Sequence, residues 1–147
     1  MIAYLDSSVV VRSYLLDEAD HVAARAMMND STMTLITGSW TRIEVTGALV
    51  RAARAHRGDE DALAELFERD MDPSTGALTV VDVNQADIEG LAMAIVRSTG
   101  IRSLDAWHLA CARIALDQLA EPGEEVGFAT RDAEQAAIAR EMGFATL

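Results

Sequence analysis

Short apolar runs alternate with longer amphipathic stretches along this chain, and that alternation constrains the fold more than any other feature. Residues 2–5, 33–37, 78–83, 126–129 and 144–146 carry few charges and have the length of strands. Helical stretches are predicted between them, over about 9–16, 20–29, 39–56, 104–119 and 133–142. Two more are expected, one placing Leu63, Leu66 and Phe67 on one face and one running from Asn84 to Gly100. Ser7-Ser8, Ser103 and the Asn84–Asp87 pair read as helix starts, and Gly143 as a helix end. Strands with few charges, each followed by amphipathic helices, predict a parallel sheet covered on both faces. The expectation is one α/β domain over residues 1–147, with no internal repeat or linker.

In such a sheet, ligands sit in the crevice beyond the carboxyl ends of the strands. Four carboxylates are placed to reach that edge. Asp6 follows the apolar opening Met-Ile-Ala-Tyr-Leu, and Asp132 follows Val126-Gly127-Phe128-Ala129 after Thr130-Arg131. Glu44 lies early in the helix after the second strand, and Asp105 opens Asp105-Ala106-Trp107-His108-Leu109-Ala110. Gathered together, they form an oxygen-lined pocket for a hard divalent cation such as Mg²⁺ or Mn²⁺. Such a cation activates water and stabilises the departing oxygen in phosphodiester hydrolysis.

Each acid also has a plainer reading. Asp132 with Gln135 makes a helix-capping pair, Asp105 complements a helix dipole, and Glu44 can be an exposed acid beside Arg42. Asp6 is the hardest to dismiss, since an acid ending a buried strand needs a partner or an opening to solvent. His108, three residues after Asp105, reads as a packed or hydrogen-bonded histidine rather than a ligand, because a hard oxygen site has little need of imidazole. Trp40 and Trp107 read first as core or interface, and second as stacking surfaces for a base.

The charge balance complicates the reading. The chain has 24 acidic and 12 basic residues, a net charge of -12, and every basic residue is Arg. That is not the footprint of a general nucleic-acid binder, whose affinity leans on phosphate neutralisation. Local clusters offset it: Arg42, Arg51, Arg54 and Arg57 fall in one short region, and Arg97, Arg102 and Arg113 in another. The lone Cys111 has no internal disulfide partner. No stretch approaches the roughly 18 apolar residues of a membrane span, and no secretory signal is apparent, so a cytoplasmic location is expected.

Four segments in this order resemble the PIN-domain family, and within it the VapC-type toxin ribonucleases of toxin–antitoxin pairs. They are Tyr4-Leu5-Asp6-Ser7-Ser8, Arg42-Ile43-Glu44-Val45, Asp105–Ala110, and Ala129-Thr130-Arg131-Asp132 followed by Ala139–Phe144. The resemblance spans essentially the whole chain. It implies a three-layer fold with a short central parallel sheet of about five strands. It implies catalytic roles for Asp6, Glu44, Asp105 and Asp132, with Mg²⁺ or Mn²⁺ on Asp6, Asp105 and Asp132 and with Glu44 acting through water. Ser8 and Thr130 are similar to supporting positions. The expected partners are an RNA substrate, a VapB-type antitoxin and a second copy of the chain, with Arg42, Arg51, Arg54 and Arg57 meeting the RNA. Two other readings stand beside this one. The first is a catalytically weak binding module of the same fold. The second is a small phosphatase, whose Asp-x-Asp signature Asp6-Ser7-Ser8 lacks.

Overall fold

The first strand explains the architecture. β1 (Ile2–Leu5) is buried along its whole length, so it reads as an unbroken apolar run rather than an alternating one. Its two sets of side chains face two different cores. Ile2 and Tyr4 join Ile36 and Phe128 on one face of the sheet, while Ala3 and Leu5 join Leu35 and Ala129 on the other. The computed structural model describes residues 1–147.

Elements follow in the order β1, α1 (Ser7–Arg12), α2 (His21–Met28), β2 (Thr34–Gly38), α3 (Ser39–Arg54), α4 (Glu60–Asp70), β3 (Thr79–Val81), α5 (Gln85–Thr99), α6 (Ser103–Leu119), β4 (Val126–Ala129), α7 (Ala133–Glu141) and β5 (Ala145–Thr146). The five strands form one parallel sheet in the order β3-β2-β1-β4-β5. The protein is therefore α/β with a central parallel sheet flanked by helices, as the alternation predicts. The chain walks from β1 through β2 to β3, then crosses back to pair β4 with the other side of β1. With each crossover right-handed, that reversal sends the later helices to the opposite face. Val9, Ala24, Leu49 and Phe67, from α1 to α4, pack on the Ala3 and Leu5 face. Ile88, Leu109 and Ile138, from α5 to α7, pack on the Tyr4 face. The strand order reverses between β1 and β4, which opens a crevice at their carboxyl ends.

Several boundaries differ from the sequence expectation, each for a local reason. α1 begins at Ser7, because Asp6 rather than Ser7-Ser8 is the cap, accepting the Ser8 amide. It ends at Arg12 rather than near 16; Tyr14 and Leu15 turn inward to the core and leave Leu16 exposed. β3 is confined to Thr79–Val81, since its only partner, β2, gives way to α3 after Gly38. Ser103 is the first residue of α6, not its cap; Arg102 holds the cap position, and its side chain is used elsewhere. No helix is long and apolar enough to cross a membrane.

Candidate active site

Asp6 and Asp132 flank the crevice directly. Asp6 follows β1, with its amide bonded to the Ala129 carbonyl across the sheet, and Asp132 lies three residues past the end of β4. Both are helix N-caps, so an extended backbone at each turns the carboxylate back over the sheet edge. α3 and α6, from opposite faces, bring in Glu44 and Asp105.

Asp6 and Glu44 form one half of the site, joined by His108. The side chain of Asp6 is 7 % exposed, and its Oδ2 accepts hydrogen bonds from the Ser8 amide at 3.1 Å and the Ser8 hydroxyl at 2.6 Å. His108 Nε2 lies 2.6 Å from Glu44 Oε2 and 3.7 Å from Asp6 Oδ1. The other ring nitrogen, Nδ1, is 2.8 Å from the Tyr4 hydroxyl, which itself accepts the Gly38 amide at 3.0 Å. An imidazole proton on Nε2 would donate to Glu44 and leave Nδ1 to accept the Tyr4 O–H. His108 is thus a buried, hydrogen-bonded histidine that holds Glu44, as its chemistry predicts. Trp107 is buried against the Tyr4 face, where a Cβ on Gly38 would lie 2.7 Å from its ring and from the Tyr4 oxygen.

Asp105 and Asp132 form the other half, joined by Arg102. Arg102 donates from Nε to Asp105 Oδ2 at 2.7 Å and from Nη2 to Asp132 Oδ2 at 2.8 Å. The capping role of Asp132 uses its other oxygen: Oδ1 accepts the amides of Glu134 and Gln135, both at 2.9 Å. The two readings of this residue are compatible, since Oδ2 remains turned to the crevice. Gln135 does not close a reciprocal capping box. Its fully buried amide accepts from the Thr130 hydroxyl and donates to the Asp105 carbonyl at 3.2 Å, tying α7 to α6. Thr130 gives its one hydroxyl proton to Gln135 at 2.5 Å and reaches Asp6 only at 3.5 Å, so its support of Asp6 is slight. Burial pushes Asp105 above the ordinary carboxylate value, with further repulsion from Asp6 and Asp132 and a partial offset from Arg102.

The fold therefore brings the four acids to one edge as two bridged pairs. No three Asp, Glu, His or Cys side chains converge as a ready-made set of metal ligands, because each carboxylate is turned to an N–H or O–H donor of the chain. The donor set nonetheless fits Mg²⁺ or Mn²⁺: four carboxylates of hard oxygen face a single guanidinium and one imidazole. Arg102 occupies one oxygen of each of Asp105 and Asp132, the Oδ2 that faces the crevice.

The arginine strip does not form one track. Arg57 is paired with Asp17 and Glu18, with contacts of 2.7 Å and 2.6 Å. Nine residues apart on α3, Arg42 and Arg51 point to opposite sides of the helix. Arg42 lines a cavity of about 260 Å³ with Glu60, Asp61 and Glu68, away from the crevice. Arg51 shares the face of Glu44 and lies across Gly47, whose missing side chain leaves it room. It lines an open groove of about 520 Å³ with Ser7, Ser8, Glu44 and Ile43, beside the acids. Arg54 is exposed one turn further on. The sequence reading missed Tyr4, Arg102 and Gln135 as parts of the site; of the three, only Arg102 carried a signal, its three-residue spacing to Asp105.

A family model, the PIN domain, matches residues 3–141 of the chain. No protein of curated function matches it.

Proposed function

The chain belongs to the PIN domain family, and from that premise we propose that it is a metal-dependent endoribonuclease acting as the toxin of a toxin–antitoxin pair. One observation carries the nuclease reading: four carboxylates from both faces of the sheet meet at the β1–β4 crevice with far less positive charge than they need. Asp6, Asp105 and Asp132 would hold Mg²⁺ or Mn²⁺, and Glu44 would act through water. The ion, when bound, supplies an activated water and charge stabilisation for in-line attack on a phosphodiester. The chain supplies the positioning. Ser8 orients Asp6, His108 and Tyr4 hold Glu44, and the amides of α7 fix Asp132. RNA would lie along the groove lined by Ser7, Ser8, Glu44 and Arg51.

The toxin role rests on the resemblance to VapC-type ribonucleases. A VapB-type antitoxin that delivers an arginine to Asp105 and Asp132 would reproduce the forked contact that Arg102 makes, and so block the ion. Leu16 after α1, Val22 on α2 and Ile43 on α3, all largely exposed, offer apolar surface for that partner or for a second copy.

The test is cleavage of a defined RNA panel by the purified chain. Cleavage should require Mg²⁺ or Mn²⁺, stop in EDTA, and be abolished by Asp6→Asn or Asp105→Asn while circular dichroism shows a folded protein. Full activity in either variant would reject the assignment. One observation favours the weaker reading, a binding module of the same fold: every acid of the site already has a partner within the chain. Calorimetry decides between the two, since a chain that binds no Mn²⁺ at millimolar concentration is the module.

A further inference from the structure

We infer that Arg102 is a tethered counterion that the metal must displace, and that its freed guanidinium then binds the phosphate of the substrate. The inference rests on the proposed metal site and adds to it a residue that the motif does not assign. Arg102 sits at the N-cap position of α6, where an Asn, Asp, Ser or Thr would normally satisfy the helix amides. It makes no such cap; its side chain is spent on a fork between two acids from different elements, Asp105 of α6 and Asp132 at the start of α7.

Its exposure shows how the fork can open. The Arg102 side chain is 73 % exposed, against 18 % for Asp105 and 33 % for Asp132. The guanidinium therefore lies on the solvent side of the carboxylates and can swing away without unpacking the core. Arg102 offsets the repulsion that Asp132 and Asp6 exert on Asp105. A divalent cation does the same with twice the charge, and it repels the guanidinium as it binds. Arg102 then stands unpaired on the rim, anchored three residues from Asp105, where the anion that arrives is a phosphodiester. A planar guanidinium suits two phosphate oxygens. The neighbouring cation, Arg131, is turned to Asp20. Arg51 lines the groove beside Glu44 and Ser8, next to the other acid pair. A strongly acidic chain without Lys thereby gains a positive group at the reacting centre only when metal is present.

The test uses the full chain. Calorimetric titration with MnCl₂ should show Arg102→Gln binding the ion about three- to tenfold more tightly than wild type, the modest size reflecting the weakness of exposed ion pairs. At saturating Mn²⁺, the same variant should cleave an oligoribonucleotide with KM raised about tenfold and kcat changed by less than about threefold. Arg102→Lys, which keeps the charge and loses the fork, should fall between the two in both measurements. An Mn²⁺ affinity that is unchanged or weaker in Arg102→Gln overturns the inference, as does an unchanged KM. Asp105→Asn separates this failure from failure of the site itself: if it binds Mn²⁺ as wild type does, the ion is elsewhere and the proposed metal site falls, whatever Arg102→Gln does.

Discussion

Asp105 shows most directly how single residues in this site serve opposed demands. Burial raises its pKa, yet metal binding needs the ionised form. The folded chain holds the Asp105 proton to higher pH than the unfolded chain does. Its contribution to metal-free stability is therefore fully present below the ordinary carboxylate pKa and is lost as pH rises through the raised value. Asp105→Asn removes this dependence. In thermal melts without metal, the stability difference between variant and wild type should shift in favour of the variant as pH climbs through that window, and a difference independent of pH would contradict the burial effect. Mn²⁺ affinity of the wild type should fall as pH is lowered into the same range, because protons and metal compete for one carboxylate. Asp6 meets a similar demand differently: two donors from Ser8 solvate a carboxylate that is nearly out of contact with water. Cys111 is the contrast, a thiol that burial pushes up to about 11.

At the scale of elements, α6 organises the crevice. Arg102, Asp105 and His108 recur every three residues, so one helix face supplies an acid and both bridging groups. Its position depends on the turn from β2 into α3. Gly38 there gives its amide to Tyr4 and leaves space for the Trp107 ring, and any Cβ would sit 2.7 Å from both. Gly38→Ala is expected to cost about 1–3 kcal/mol in urea denaturation through overpacking. Because Tyr4 orients His108, the variant should also lose RNA cleavage beyond what its stability explains; a variant as stable and active as wild type would show that the contact yields freely. The elements themselves were largely legible, since strand alternation and caps such as Asn84 and Asp132 are local signals. The short α1 and the short β3 were not. One depends on where Tyr14 finds a core and the other on where a neighbouring strand stops.

For the whole molecule, the governing fact is a strand order that reverses between β1 and β4 in a chain of net charge -12. The reversal makes the crevice, and the charge would leave the proposed RNA binding dependent on few cations. Of the four arginines expected to meet RNA, Arg51 alone lines the groove beside the acids, while Arg57 is held by Asp17 and Glu18. Arg51→Gln should weaken binding of single-stranded RNA in EDTA and flatten the dependence of log K on log salt by about 0.7, the value of one single-strand phosphate contact. Mn²⁺ affinity should stay as in wild type. Arg57→Gln should leave RNA binding unchanged, and an equal loss in both variants would mean that general charge, not the groove, governs binding.

By itself the sequence determined the α/β class, the order of elements and the four acids worth watching. All of these follow from residue periodicity and from the cost of ending a buried strand in a charge. Only the tertiary structure decided how those acids are paired. Arg102 reaches across 30 residues to Asp132, and His108 across 64 to Glu44. Such pairings are set by which helix ends meet at the sheet edge, and a geometry shared by distant segments leaves no local pattern to read.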